Sequence, residues 1–362
     1  MKVAFITDTL QMGGKERRLV EIITGLLVRN KISPILILWD GISEEESIAY
    51  KSVLKSNIPI YYLGKTNLSY KIHKVYEILK AENIKAINTW APPIYSYYLL
   101  FPQILLRIPT YNSSITGARD GYSKKEILVM HSLHYISKLV NSNCMRAMNL
   151  FHIPLKKRKV IYNGFNMERV ENLESSDTIR SKFSIETKYI VSMAGRYNNA
   201  KDWITHVKAS NLILDLGYDV TFLCMGSGDP TEYENFIKPN HRNKIRFIGP
   251  QTDVESIFAA SDIVTLSTFG EGISNSILEG MAVSKPIVAT EGGGTPEIVE
   301  HGVSGFITKM EDIKDYSNRI IELLDNEQLR KLMGSRGFAI VNEKFNMEQM
   351  LTGFESMFLN GQ

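Results

Sequence analysis

At 362 residues the chain is too long for one core of ordinary size and suits two α/β domains. Its 44% hydrophobic and 22% charged residues are ordinary for a soluble globular protein, and its longest apolar run, residues 97–106, is interrupted by Pro102 and Gln103 and far short of a membrane span of about 20 residues. The net charge of +3 conceals a split: residues 1–166 carry 23 Lys and Arg against 11 Asp and Glu, and the remainder 19 against 28, so the two halves suit different partners.

In chain order, KVAFIT (residues 2–7) reads as a buried strand entered directly, without signal-peptide architecture. A polar turn with Gly13 and Gly14 follows, then an amphipathic helix through Leu19, Ile22, Ile23, Leu26 and Leu27. Strand, glycine turn and helix can cradle a phosphate, although the turn lacks the G-x-G-x-x-G pattern of dinucleotide binding; a plain tight turn fits equally well. Residues 33–39, 58–63 and 86–90 read as strands separated by helices, which indicates a parallel, doubly wound sheet. Residues 91–108 are aromatic and apolar. They suit a helix packed on the sheet or a surface dipping into lipid headgroups. A strand at 110–114 leads into the loop 115–122, where Arg119 is the nearest polar group able to face a ligand. His131 and His134 share one helical face but have no carboxylate or Cys beside them, a poor zinc set. Strands at 138–142 and 159–163 close the half, with Cys144 and Cys224 spaced for neither metal nor redox chemistry and suited to a reducing cytosol.

Residues 165–187 have the composition of a linker with a short helix. A strand at 188–194 then runs into Gly195–Asp202, a turn with two cations, Arg196 and Lys201, five residues apart. Arginine offers a planar fork to phosphate oxygens and lysine a mobile point charge. After strands at 220–225 and 245–248 comes the stretch 267–282, STFGEGISNSILEGMA: a strand tail, a glycine turn and a helix start. Such a junction presents backbone N–H groups and the positive end of a helix dipole to an anion. Glu271 and Glu279 frame it. Eight residues apart, they are offset by about 80° around a helix, so a ligand touching both must be extended, with an anionic middle and hydroxyl-rich ends. A nucleoside diphosphate sugar has that layout. Taken alone, the two glutamates also fit a solvated helix face. A strand at 286–290, a glycine turn at 291–297 and helices from Lys309 to the end complete the chain.

The run FGEGISNSILEGMA resembles the E-x7-E signature of retaining glycosyltransferases of family 4. The G-R-x4-K-D of residues 195–202 resembles their phosphate-binding pair, Asn141-Ser142 and Tyr162-Asn163-Gly164 their NS and NG landmarks, and the turn at 291–297 their GG-x-x-E element. The likeness is dense from about residue 159 to 310. It implies an α/β protein of GT-B fold, with two Rossmann-like doubly wound parallel-sheet domains facing a central cleft. Residues 1–166 would bind the acceptor and 167–345 the nucleotide sugar, with a C-terminal helix at about 346–362 packing back on the first domain. The implied reaction moves a hexosyl group, with retention and without metal or other cofactor, from a nucleotide diphosphate sugar to a glycan or lipid-linked acceptor in bacterial surface polysaccharide synthesis. Glu271, Arg196 and Lys201 would be catalytic. Gly14, Arg196, Lys201, Gly272, Ile273, Ser274, Asn275 and Glu279 would bind the donor, and Gly13 and Arg119 would lie on the acceptor side. The chain would be cytoplasmic, peripheral on an anionic membrane and without a nucleic-acid partner. Many relatives carry a histidine after the strand at 110–114, where this chain has Ser114, Ile115 and Thr116. Two other readings are a nucleotide-sugar 2-epimerase of the same fold and a two-domain solute-binding protein.

Overall fold

Apolar strands alternating with amphipathic helices bury both faces of a sheet only when every crossover returns the chain parallel to itself, and two such sheets form here. The computed structural model describes residues 1–10, 14–40, 53, 55–119 and 121–360. The chain divides into one unit of Met1–Thr116, Tyr122–Asn163 and Glu348–Gln362, and a second of Gly117–Gly121 and Gly164–Met347.

In the first unit, β1 (Lys2–Thr7), β2 (Ser33–Leu38), β3 (Ile60–Tyr62), β4 (Ala86–Thr89) and β5 (Thr110–Ile115) are joined, past the short β6 (Ala118–Arg119) of the other unit, by β7 (Leu139–Ser142) and β8 (Arg158–Val160). The order is β3-β2-β1-β4-β5-β7-β8, all parallel. Phe5 lies in register with Leu36 on one side and Asn88 on the other. The helix Met347–Leu359 seals one side of this sheet, with Phe358 edge-on to Phe5 and Tyr111. Residues 91–108 form two short helices, Pro93–Tyr98 and Leu100–Leu106, and their two faces differ. Tyr95 and Tyr98 pack on Trp39, while Ile94, Phe101, Ile104 and Leu105 are exposed. His131 turns its Nδ1 to the carbonyls of Phe151 and His152 and lies against His134, a packed pair.

In the second unit, β9 (Tyr189–Ala194), β10 (Val220–Met225), β11 (Ile245–Phe247), β12 (Ile263–Leu266), β14 (Ile287–Thr290) and β15 (Gly305–Thr308) form a parallel sheet ordered β11-β10-β9-β12-β14-β15. The strand β13 (Gly270–Glu271) pairs antiparallel with β6. Both sheets are doubly wound as expected, but three strands escape the sequence pattern. β15 is a four-residue run beginning at a glycine, and β6 and β13 are two residues each, too short for a period to register. The helical C-terminal region starts at Ile313 with Asp312 as its cap, and is three helices rather than a run from Lys309.

The segment expected as a linker is also packed. It holds a 3-10 turn, Met167–Val170, and a helix, Ser176–Lys182, whose Ile179 is buried. The backbone N–H of Glu174 donates to Ser256 Oγ at 2.8 Å. A few inward-facing side chains suffice to dock a segment whose mean composition is polar.

Candidate active site

In an open parallel sheet, the strand order reverses where the chain crosses from one edge to the other. The loops leaving the two strands at that point splay apart and open a crevice beyond their C-terminal ends. In the second unit those strands are β9 and β12. The loop after β9 carries Arg196 and Lys201, and the loop after β12 carries Glu271. Topology alone brings these residues to one place, although 70 positions separate Lys201 from Glu271.

The β9 loop is fixed residue by residue. Tyr197 is buried, with its ring edge-on to Trp203 and Phe247 and its hydroxyl donating to the Cys224 carbonyl at 2.9 Å. Burial pushes its phenol well above the usual range. Arg196, beside it, is exposed. The Asp202 carboxylate caps the helix Trp203–Asp215, accepting from the Thr205 N–H at 3.0 Å, and the Asp202 N–H donates to the Ser267 carbonyl at 3.0 Å. Lys201 between them forms a bridge with Thr268. Its buried ammonium forms an ion pair with Glu271 Oε1. Burial pushes the Lys201 pKa down to about 7. The adjoining Glu271 carboxylate favours the charged form.

Glu271 sits on a ribbon rather than in a free turn. Its partner on β6 is Ala118, and Gly270 faces Arg119. The Glu271 carbonyl accepts from the Gly294 N–H at 2.9 Å. Glycine is required at two neighbouring positions. Gly293 has φ +63°, and a Cβ there would lie 2.0 Å from the Glu271 carbonyl oxygen; a Cβ on Gly270 would lie 2.4 Å from that of Ala118. The glycine turn at 291–297 therefore backs the Glu271 main chain.

The helix Asn275–Ala282 starts four residues beyond Glu271. Ser274, its N-cap, makes no side-chain cap bond; its Oγ lies 3.0 Å from Ser276 Oγ. Gly272, Ile273 and Ser274 are buried and Asn275 partly so. Further along, the buried Glu279 accepts a hydrogen bond from Arg169 Nη2 at 2.9 Å, and the same nitrogen forms an ion pair with buried Glu255.

The second unit thus holds Arg196, Lys201, Glu271, the helix start and Glu279. Arg119 is exposed on β6, which is grouped with this unit. Gly14 is the first residue of the helix Gly14–Val28 in the first unit, and Gly13 lies outside the described residues. At the end of β5, Ser114 Oγ donates to Asn112 Oδ1 at 2.7 Å. Sequence reasoning missed Arg169 and Glu255. The one available signal was a lone cation, Arg169, among the acidic residues of 165–175.

Residues 188–326 match the family model described as Glycosyl transferases group 1. The chain is 27% identical over 348 residues to an uncharacterized glycosyltransferase of Methanocaldococcus jannaschii, spanning 89% of this chain and 88% of the relative. It is 27% identical to the N-acetyl-alpha-D-glucosaminyl L-malate synthase of Bacillus anthracis over 61% of this chain and 59% of that one. Among solved structures, that of HepE from Anabaena in complex with UDP-glucose superposes with a TM-score of 0.83 at 21% identity, covering 100% of both chains. The fold is GT-B. The second domain is thus similar to that of group 1 glycosyl transferases, the chain is similar along most of its length to a protein named as a glycosyltransferase, and its fold is that of the GT-B structures.

Proposed function

We propose that the chain transfers a hexosyl group, with retention, from a nucleoside diphosphate sugar to a glycan or lipid-linked acceptor of bacterial surface polysaccharide synthesis. The observation that carries this reading is the Lys201–Glu271 ion pair at the strand C-termini beside the start of the helix Asn275–Ala282. It places a cation for a diphosphate next to a carboxylate for sugar hydroxyls. The bond from the anomeric carbon to the diphosphate breaks, and the acceptor hydroxyl oxygen bonds to the same face of that carbon. The acceptor proton leaves with the diphosphate. Lys201, Arg196 and the helix N-terminus neutralise the departing charge in place of a metal ion. Glu271 holds the sugar as it gains positive character, and Glu279 accepts from the ribose hydroxyls. The basic first unit takes the acceptor at an anionic membrane face, where the exposed Ile94, Phe101, Ile104 and Leu105 suit headgroup contact.

A thermal-shift panel of UDP-, GDP-, ADP- and CMP-sugars tests the donor. A sugar nucleotide at about 100 times its dissociation constant stabilises by about 2.7 kcal/mol, a resolvable shift. NMR of the stabilising donor with enzyme alone then checks the reaction. A donor that stays intact until acceptor is added fits a transferase, and an epimerised sugar nucleotide makes the protein an epimerase.

A further inference from the structure

Glu279 is the residue of the site whose surroundings the donor does not explain. Its side chain and that of Glu255 are each 6% exposed, and both pair with Arg169. Arg169 reaches both through a single nitrogen, Nη2, so its planar fork is not spent as a two-toothed clamp on Glu279. The guanidinium is itself immobilised, stacked 5.0 Å from the centre of the Phe165 ring, and Phe165 is fully buried. The backbone of that residue is tied in turn, its N–H donating to the Phe345 carbonyl at 2.6 Å. Asn166 caps the 3-10 turn that presents Arg169.

Glu255 claims part of the same guanidinium, so Arg169 is not committed to Glu279 alone. A carboxylate has acceptor capacity for about four hydrogen bonds, and the Arg169 donor on Oε1 takes one of them while fixing the plane.

We propose that Arg169 is a positioning residue for the donor ribose. Anchored by Glu255 and Phe165, it sets the orientation in which Glu279 accepts from the 2′- and 3′-hydroxyls. This rests on the donor reading of Glu279, and it predicts that preference for ribose over deoxyribose runs through a side chain that touches no part of the nucleotide.

The test is calorimetric titration of UDP against 2′-deoxy-UDP, and GDP against 2′-deoxy-GDP, into wild type, Arg169→Met and Arg169→Lys. Hydroxyl hydrogen bonds to a charged group should give the wild type a ribose preference of about 10-fold or more. Arg169→Met should reduce that ratio to about threefold or less, by weakening UDP and GDP more than their 2′-deoxy forms, which keep only the 3′-hydroxyl. Should Arg169→Met fail to fold, Arg169→Lys decides, because it keeps the charge but lacks the planar fork; its ratio should fall at least about threefold. A wild-type ratio in the variant that decides the test overturns the inference. So does an equal loss for both nucleotides, which is what a purely structural role produces. If the wild type binds none of the four, or binds without ribose preference, the donor reading of Glu279 itself falls, and this inference with it.

Discussion

Glu271 and Glu279 lie on one short stretch of chain, each against a cation, and the two are held in different ways. Glu271 is carried on a two-residue ribbon strand whose main chain is backed by glycines, and its partner is a lysine, a point charge on a flexible stem. Glu279 is inside a helix, and its partner is an arginine stacked on a buried ring and shared with Glu255. An ammonium on a flexible four-carbon stem can turn toward a new anion as charge arrives and leaves. A stacked, doubly paired arginine cannot. The difference separates two tasks. The first pair suits a step in which charge moves, and the second suits recognition of a group that never changes.

The sharpest way to break this comparison is to remove the mobile cation. Lys201→Ala should lower kcat by on the order of 100-fold or more, because it deletes stabilisation of charge that grows on the departing diphosphate. Steady-state kinetics with saturating donor measures it. A variant with normal kcat and only a raised donor KM would show that Lys201 binds ground state and transition state alike, and the distinction between the two pairs would disappear.

What the sequence made legible was whatever depends on local pattern. The parallel sheets follow from apolar runs such as residues 3–6 and 35–38, and the glycine breaks after such runs put Arg196, Lys201 and Glu271 in turns and Glu279 in the helix that follows. What stayed hidden is long-range pairing. Lys201 meets Glu271 across 70 residues, and Arg169 meets Glu279 across 110, and no periodicity reports either distance. The ribbon of Arg119 and Ala118 with Gly270 and Glu271 is hidden for the same reason, since two-residue strands are made by the partner and not by their own composition. Arg119, expected on the acceptor side, lies on that ribbon and is grouped with the second unit.

The comparison sharpens when each glutamate is neutralised without changing its shape. Glu279→Gln should mainly raise donor KM, by about 10-fold to 100-fold, since hydrogen bonds to a charged acceptor are worth about 1.5–3 kcal/mol and serve ground state and transition state equally. It should also weaken binding of the free nucleoside diphosphate, which still carries the ribose. Glu271→Gln should instead depress kcat and leave affinity for the free diphosphate nearly intact, because its charge faces the sugar that the product nucleotide has lost. Calorimetry with the diphosphate beside kinetics for both variants reads the pattern. The reverse pattern, with Glu271→Gln losing the diphosphate and Glu279→Gln keeping it, would mean that the donor runs along this helix in the opposite direction.

The smallest effect is also the most specific to the Lys201–Glu271 pair. With a pKa of about 7 in the free protein, Lys201 is largely neutral at pH 8 and largely charged at pH 6. A diphosphate beside it favours the charged form and raises that pKa. At pH 8, binding must then draw a proton from solution, approaching about one per nucleotide, and at pH 6 almost none, because the ammonium already carries it. Affinity should accordingly weaken by up to about tenfold per pH unit above 7, until the raised pKa of the complex is reached. Titrating nucleoside diphosphate at pH 8 in buffers of different ionisation enthalpy measures the uptake directly. The apparent heats should differ between buffers for the wild type and converge for Lys201→Ala. Equal heats for the wild type at pH 8 would show that the ammonium is already charged when the diphosphate arrives, with Glu271 outweighing burial, and that the first pair is as fixed as the second.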